Sequence, residues 1–275
     1  MIRRRRGARA AGRQARGRPC DIVLAWCFER KRGDRGLDIG AFDRAVPGCE
    51  PIGSVPGKEV RVFYDGVGGR VNYRMWRVDG GIRAVLVFLH GRGQSSADYH
   101  RFGRAMGLHG IEVWALDHLG HGLSEGEPDS SPPLPDLAAN AEILIGLAHA
   151  SRPGVPLVLA GHSLGAAVAL LMMRTSGQGD GPVCAVALTG TPSRDSLLRA
   201  PAPPVPTLLL HGEDDRLTPI DPVREWASRN PGVELRVFED AGHDLLHEPV
   251  RREVEKTMAE FTFRYGGSNS ARIIS

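Results

Sequence analysis

The stretch Pro156–Gly165, PLVLAGHSLG, combines an apolar run with two glycines that enclose a histidine, a serine and a leucine. The run Leu157–Ala160 predicts a buried strand, and Ala166–Thr175 predicts a helix directly after it. The chain must turn sharply between them, and the two glycines lack the Cβ atoms that would clash in such a turn. The pattern therefore predicts an elbow that exposes the hydroxyl group of Ser163 above a helix N-terminus. The pentapeptide alone is also compatible with a glycine-rich turn whose serine has no chemical role.

Strands and helices are predicted to alternate from residue 84 onward, which indicates an α/β fold with a mostly parallel sheet and helices on both faces. The predicted strands are Ala84–Leu89, Ile111–Asp117, Leu157–Ala160, Val183–Leu188, Thr207–Leu210 and Val233–Phe238. The predicted helices are Ser96–Gly107, Asp136–Ser151, Ala166–Thr175, Val223–Arg229 and Pro249–Phe263. A hairpin of Val60–Tyr64 and Arg70–Val78, with a turn at residues 65–69, is predicted before them.

Polar clusters follow the predicted strands at their carboxyl ends. These clusters are His90–Gly93, Asp117–Gly122, Ser163, Asp215 and His243. Ligands of such folds bind outside the carboxyl ends of the strands, so we expect these clusters to meet at one edge of the sheet. This convergence favours a chemical role for Ser163 over an idle turn.

A serine hydroxyl is a poor nucleophile unless a base lies within hydrogen-bond reach and an acid orients that base. Two candidate bases, His243 and His247, follow the last predicted strand. His243 is favoured because the small residues Ala241-Gly242 before it form a turn that can aim its ring over the sheet. His247 is expected at the surface or at a helix start.

The acid is expected after the strand Thr207–Leu210, since the chain order serine, acid, histidine is the one used on sheets of this kind. Asp214 and Asp215 both qualify, and Asp215 is favoured, with Asp195 a more distant candidate. The pair could instead form a solvated acidic turn.

Stabilisation of a negatively charged intermediate requires two preorganised N–H donors, which form an oxyanion hole. One is expected from Leu164, the residue after the serine. The other is expected from Arg92 in the segment His90–Gly93, here called the oxyanion loop, where the flanking glycines free the backbone. The Arg92 side chain could either meet an anionic substrate or remain solvated.

Neither a metal nor a cofactor is expected. His118, His121 and His162 have a spacing that matches no metal-ligand pattern. Asp117 is predicted to be structural, holding the loop that follows its strand.

Composition indicates one large domain, or one domain with an appendage, because 275 residues suffice for a sizeable core. The formal charge of +3 includes eight arginines in residues 1–20, without which the remainder carries +3 − 8 = −5. We therefore expect no nucleic-acid partner for the body. Residues 1–55 are predicted to be a basic, poorly ordered segment, 56–266 the α/β domain and 267–275 a flexible tail.

Cysteine content and hydropathy predict a cytoplasmic protein without stable membrane insertion. No pair among Cys20, Cys27, Cys49 and Cys184 has C-x-x-C spacing, which favours a reducing compartment over a disulfide framework. No apolar run reaches the ~20 residues that a membrane-spanning helix requires. The oligomeric state is not predicted.

Several motifs together resemble those of the α/β-hydrolase superfamily, specifically its monoacylglycerol lipase and lysophospholipase-like group, which includes sequences named serine aminopeptidase (S33). The matching pieces are Tyr73–Trp76, HGRG with Ser96 and Tyr99, LDHLGHGLSEG at 116–126, GHSLG at 161–165, LLLHGEDDRLTP at 208–219 and AGHDLLHEP at 241–249. The resemblance covers about residues 60–265. It implies an α/β-hydrolase fold, a catalytic triad of Ser163, Asp215 and His243, and cleavage of a small-molecule carboxylic ester through an acyl-enzyme.

One departure concerns the substrate. Relatives usually insert a helical cap before the acid strand, whereas here only TPSRDSLLRAPAPPVP separates Gly190 from Thr207, enough for a short helix at Arg194–Leu198. A minimal cap predicts an open site and short-chain or small esters, with monoacylglycerol or lysophospholipid as further possibilities. The same triad could serve an acyltransferase or an aminopeptidase-type amidase, and a non-catalytic binding protein is the alternative of another class.

Overall fold

The computed structural model describes residues 59–128, 132–175, 181–193 and 195–266. All of them belong to one unit, Glu50–Ser275. The predicted segment 1–55 and tail 267–275 lie outside the described residues, as do three of the four cysteines. The described cysteine, Cys184, is a free thiol.

The described residues form a central eight-stranded sheet in the order β1-β2-β4-β3-β5-β6-β7-β8. Its strands are β1 (Glu59–Gly66), β2 (Gly69–Trp76), β3 (Ala84–Leu89), β4 (Ile111–Leu116), β5 (Leu157–His162), β6 (Val183–Thr189), β7 (Thr207–Gly212) and β8 (Val233–Phe238). β2 pairs antiparallel with both β1 and β4. All the pairings from β4 through β8 are parallel. The predicted, mostly parallel sheet is therefore confirmed.

Helices connect the strands where the sequence predicts them, with ends shifted by a few residues. A 3₁₀ helix at Ser96–Tyr99 leads into α1 (His100–Leu108), and the others are α2 (Leu134–Ser151), α3 (Leu164–Thr175), α4 (Asp195–Leu198), α5 (Ile220–Arg229) and α6 (Arg251–Gly266). No helix within the described residues combines the length and apolar composition needed to cross a membrane.

The central strands β3, β4, β5 and β7 are buried on both faces, which explains their continuous apolar runs. In β3, Val87 and Leu89 pack into one core cluster, with residues of α2, α3 and α5. Leu86 and Phe88 pack into the other, with residues of α1 and α6. Each such fully buried side chain contributes roughly 1.5–3 kcal/mol to folding, so the layers hold the strand ends in fixed relative positions.

The predicted hairpin is confirmed, but its turn is shorter than residues 65–69. Strand pairing continues through Gly66, which leaves the two-residue turn Val67-Gly68. Asn140 of α2 accepts a hydrogen bond from the Val67 N–H at 2.7 Å and donates one to its carbonyl at 3.1 Å. A Cβ atom on Gly66 would lie 2.5 Å from Asn140 Oδ1. The turn is thus fixed by a distant helix, which a local pattern does not reveal.

Two predicted helices begin differently in the structure. The predicted helix Ser96–Gly107 starts as a 3₁₀ turn, in which Asp98 accepts hydrogen bonds from the N–H and hydroxyl of Ser95. The last helix begins at Arg251, so the prediction that Pro249 lies in its first turn was wrong. A turn closed by the Arg251 N–H on the Glu248 carbonyl, at 3.0 Å, precedes that helix.

The segment between β6 and β7 contains α4 as its one described helix. Arg194, the predicted first residue of this helix, lies outside the described residues. Leu197 and Leu198 are buried, and Leu198 belongs to the core cluster shared with α2 and α3. Arg174 of α3 donates a hydrogen bond to the Leu197 carbonyl. The helix is therefore tied to the body of the domain.

Candidate active site

The elbow (Gly161–Gly165) has the sharp geometry that the sequence predicts. Ser163 is half-buried and has a φ of 51°, in the left-handed region that ordinary residues avoid. A Cβ atom on Gly161 would lie 2.5 Å from the Gly165 carbonyl oxygen, and one on Gly165 would overlap the carbonyl of Leu89. Both glycines are required because strand and helix backbones approach this closely. The Ser163 N–H donates to the Thr189 carbonyl at 3.0 Å, which joins the elbow to the end of β6.

Leu164 is the first residue of α3. The first N–H groups of a helix have no partner within it and lie at the positive end of the helix dipole. The position of Leu164 thus meets the requirement for one oxyanion donor.

Arg92 lies in an exposed turn directly after β3, closed by a hydrogen bond from the Gln94 N–H to the Gly91 carbonyl at 3.2 Å. Gly93 completes the turn with a φ of 75°, which glycine adopts without strain. β3 lies beside β5 with Leu89 opposite Gly161, so the oxyanion loop and the elbow leave adjacent strands. No described residue accepts a hydrogen bond from the Arg92 N–H.

Asp215 and His243 are in direct contact. Asp215 Oδ2 lies 2.7 Å from His243 Nδ1, and the aspartate side chain is fully buried. Oδ1 accepts the N–H groups of Leu217 and Thr218 at 2.9 Å each, and the Thr218 hydroxyl donates to Oδ2 at 2.6 Å. Burial by itself raises the pKa of Asp215, but these hydrogen bonds lower it well below its usual range. The group is therefore a carboxylate at neutral pH.

The alternative acids are arranged differently. Asp214 is exposed, and its N–H donates to the Ala241 carbonyl at 2.9 Å. Asp195 lies in α4. Of the two adjacent aspartates, Asp215 is the one in contact with His243.

His211, which sequence reasoning did not select, supports the loop at residues 213–219, which carries Asp215, from within the sheet. It is fully buried in β7, and its Nε2 donates to the Thr218 carbonyl at 2.8 Å. The same nitrogen lies 3.4 Å from Asp215 Oδ2. Burial lowers the pKa of His211, so it supports the loop as a neutral donor.

His243 lies in the segment Ala241–Glu248, here called the base loop, which Glu248 stabilises. The Glu248 carboxylate accepts the Gly242 N–H at 2.7 Å and the Asp244 N–H at 3.0 Å, on either side of the histidine. No spacing pattern marks Glu248 in the sequence, because its partners are backbone groups of its own loop. It holds the backbone that carries the candidate base.

Ser163 and His243 both lie beside the end of β6. Ser163 bonds to Thr189, and a Cβ atom on the next residue, Gly190, would lie 2.9 Å from His243 Cε1. Among the described residues no hydrogen bond joins the Ser163 hydroxyl to His243. Catalytic hydrogen bonds of this kind are often long before substrate binds. The structure therefore pairs the candidate acid with the candidate base and brings Ser163 to the same edge.

Asp117 has the structural role predicted for it. Its Oδ1 accepts the Ser96 N–H at 2.7 Å, and its Oδ2 accepts the Leu123 N–H at 2.9 Å and the Asn72 side-chain amide at 2.8 Å.

His90, whose role sequence reasoning missed, anchors the oxyanion loop: its Nδ1 donates to the Gly91 carbonyl at 2.7 Å. Burial lowers the pKa of His90 to about 4, so its ring is neutral.

The described residues contain no group of three or more His, Cys, Asp or Glu side chains that could hold a metal ion. His118 is buried with both ring nitrogens unpartnered among these residues. His162 is buried in the elbow, and its Nδ1 lies 3.0 Å from the Thr189 hydroxyl. Burial lowers its pKa to about 4, so it packs at the site as a neutral ring.

His247 is the exception among these histidines, because both of its ring nitrogens face acceptors. Nδ1 donates to Asp244 Oδ1 at 2.8 Å, and Nε2 donates to the Asp98 carbonyl at 3.0 Å. These contacts, led by the hydrogen bond with Asp244, raise its pKa from 6.5 to about 9. His247 is therefore an imidazolium that ties the base loop to the 3₁₀ helix.

The variant His247→Gln is expected to lower the free energy of unfolding more in mild acid than in alkali. The folded state raises the pKa of His247, so the stabilisation is complete below 6.5 and is lost as the pH rises through about 9. Urea unfolding of the wild type and the variant at about pH 6 and about pH 10 measures the two differences. Salt is expected to weaken the effect, because the side chain is 37% exposed. Equal differences at both pH values, or the same trend in the exposed control His109→Gln, would contradict this assignment.

Sequence comparison finds one matching family. Residues 80–198 match the family described as serine aminopeptidase, S33. That range contains β3 through α4, and so the oxyanion loop and the elbow. It ends before β7 and β8, so the placement of Asp215 and His243 depends on the geometry above.

Two curated relatives are named as lipases. The monoacylglycerol lipase of Mycolicibacterium smegmatis is 35% identical over 106 residues, which is 38% of each chain. The human monoglyceride lipase is 32% identical over 123 residues, covering 43% of this chain and 39% of the relative. The matches therefore span less than half of either relative.

Solved structures share the fold over a larger part of the chain. An α/β serine hydrolase without a lid, from Xanthomonas campestris, superimposes with a TM-score of 0.64 and covers 78% of this chain and 98% of its own. The two are 18% identical in sequence. At this level the likeness concerns the fold alone.

Proposed function

We infer that this chain, which is an α/β-hydrolase of the monoacylglycerol lipase-like group, hydrolyses carboxylic esters through a serine-bound acyl intermediate. The observation that carries this proposal is the 2.7 Å contact between Asp215 and His243 at the sheet edge where Ser163 adopts its left-handed conformation. Both relatives described above are named as lipases, which favours ester cleavage over the amide cleavage and acyl transfer considered from sequence.

In the first half-reaction the Ser163 oxygen attacks the ester carbonyl carbon, while His243 Nε2 accepts the hydroxyl proton. The carbonyl oxygen becomes an oxyanion that the N–H groups of Leu164 and Arg92 stabilise. Asp215 keeps the proton of His243 on Nδ1 and stabilises the imidazolium. The intermediate collapses when His243 returns its proton to the departing alcohol, which leaves an acyl-serine.

In the second half-reaction water attacks the acyl-serine carbonyl, and His243 removes a proton from that water. The same two N–H groups stabilise the second oxyanion. Collapse releases the carboxylic acid and returns the proton to the Ser163 oxygen, so the enzyme is regenerated. No cofactor enters either step.

We propose that the substrates are short-chain or small esters. The observation is that α4, the one described helix between β6 and β7, is tied to α3 and buries its leucines in the core. Little chain is then left there to build a long acyl tunnel. Monoacylglycerols with short acyl chains satisfy both this inference and the names of the relatives.

Turnover of p-nitrophenyl esters from acetate to laurate tests the reaction and the substrate together. We expect hydrolysis, with kcat/KM highest at the short end of the series, because each further methylene group gains little without a tunnel to bury it. A parallel series of monoacylglycerols checks that the preference does not come from the activated leaving group. A maximum at laurate would refute the short-chain inference, and no turnover of any ester by folded protein would refute the proposed reaction.

A further inference from the structure

The side chain of Gln94 connects the oxyanion loop to the base loop. Its Oε1 accepts the Gly91 N–H at 3.0 Å and the Tyr99 hydroxyl at 2.6 Å. Its Nε2 donates to Asp244 Oδ2 at 2.9 Å. Asp244 directly follows His243, so one amide group spans the two loops that carry the proposed oxyanion donor and base.

Each end of this connection is held by further contacts. On one side, Gly91 is closely packed, since a Cβ atom there would lie 2.7 Å from both Gln94 Oε1 and His162 Cδ2. On the other side, Asp244 Oδ1 accepts from His247 at 2.8 Å. The Asp244 N–H is also bound by Glu248 at 3.0 Å. A change at Gln94 is therefore transmitted to both loops.

The amide group of Gln94 fits this position because the connection needs an acceptor and a donor on one side chain. The acceptor faces an N–H and a hydroxyl, and the donor faces a carboxylate. A carboxylate at position 94 would keep the acceptor but would oppose Asp244. An apolar side chain would leave the Gly91 N–H without its partner.

We propose that Gln94 is a positioning residue that fixes the Arg92 N–H and His243 at a constant separation for the ester hydrolysis inferred above. The proposal rests on that function. Gln94 acts through the backbone of Gly91 and the carboxylate of Asp244. Its role is to keep the Arg92 N–H and His243 in fixed positions while negative charge develops on the substrate oxygen and His243 becomes positively charged. Small displacements of such groups lower the rate strongly.

Exchanging donor and acceptor across the contact tests the proposal. Gln94→Glu removes the donor and places two carboxylates together, whereas Gln94→Glu with Asp244→Asn restores one donor and one acceptor. In the double variant the new amide at position 244 donates to the new carboxylate at position 94, while the amide oxygen still accepts from His247. The carboxylate at position 94 still accepts from Gly91 and Tyr99.

Gln94→Glu is expected to lower kcat by about 10- to 100-fold with little change in KM, and the double variant to recover most of the loss. Thermal unfolding confirms that both variants are folded, and Asp221→Asn on α5, an exposed aspartate, serves as the matched control. If Gln94 had only a structural role, Gln94→Glu would lower the melting temperature, and the double variant would not recover kcat. Unchanged kcat in folded Gln94→Glu, or a double variant no faster than the single one, overturns the proposal.

A readout without substrate separates this proposal from the proposed function. Hydrogen exchange at the Gly91 amide, followed by NMR, is expected to be faster in Asp244→Ala, because Gln94 loses the partner that holds it over Gly91. Among the described residues no hydrogen bond joins Asp244 directly to Gly91, whereas Gln94 is hydrogen-bonded to both, so the effect is expected to pass through Gln94. Unchanged exchange overturns the coupling even if esters are hydrolysed. Absence of ester turnover by the wild type refutes the proposed function. Hydrogen exchange at the Gly91 amide still tests whether Gln94 couples Asp244 to Gly91 in that case.

Discussion

Ser163→Ala is expected to abolish ester hydrolysis, with kcat lowered on the order of 10⁴- to 10⁶-fold. The change removes the oxygen atom that forms the acyl intermediate in the proposed reaction, while the proposed oxyanion donors and base remain. Folding should be preserved, because no described residue hydrogen-bonds to the Ser163 hydroxyl. Alanine at a φ of 51° is strained as serine is, so the elbow gains no new backbone cost.

Two measurements check this result. Turnover of a short-chain ester gives kcat, and a fluorophosphonate probe reports covalent labelling, which should disappear in the variant. Ser151→Ala, the same chemical change at the exposed end of α2, is the matched control and should label like the wild type. Labelling that survives in folded Ser163→Ala would show that another residue is the nucleophile.

The strands and the elbow were predictable because their signals are local. β3 and β8 have the predicted bounds: β3 is a continuous apolar run, typical of a covered strand, whereas β8 (VELRVF) alternates apolar and charged residues. The left-handed φ of Ser163 follows from two glycines at fixed spacing. Parallel pairing then brings strand ends together, so chain order predicts that an acid after β7 meets a histidine after β8, as Asp215 and His243 do.

The supporting contacts of the site could not be predicted in this way. Gln94 and Asp244 are 150 positions apart, and no pattern in the sequence pairs them. His211 directly follows the predicted strand Thr207–Leu210, and its role depends on the carbonyl of Thr218 across a loop. Such contacts depend on how loops fold over one another, and hydrophobic periodicity carries no information about that.

The errors in the predicted ends of helices and strands also come from hydrogen bonds that a local sequence pattern does not show. The hairpin turn is shortened by Asn140, which binds Val67 from a helix far along the chain. The start of α6 is set by the turn that Glu248 and Arg251 close, rather than by the preference of Pro249 for a first helical turn. A local propensity is overruled by a hydrogen bond to a distant helix in the first place and by the hydrogen bond of a neighbouring turn in the second.

Asp215→Asn is expected to lower kcat by about 10³- to 10⁴-fold with a small effect on KM. The Oδ1 position receives two backbone N–H groups, from Leu217 and Thr218, so the asparagine oxygen must occupy it. The amide nitrogen then takes the Oδ2 position, 2.7 Å from His243 Nδ1, and donates to it. His243 is forced into the tautomer that carries its proton on Nε2, which cannot accept the proton of Ser163.

Asp214→Asn provides the matched control, because the adjacent side chain is exposed and only its backbone N–H has a described partner, the Ala241 carbonyl. Its kcat should stay close to that of the wild type, and both variants should keep the wild-type fold by circular dichroism. A large loss in Asp214→Asn with a small one in Asp215→Asn would reverse the assignment of the acid. Losses of equal size would indicate that the loop, rather than one carboxylate, sets the rate. The slow variant should still react with the fluorophosphonate probe, only more slowly, since Ser163 and both proposed oxyanion donors are intact.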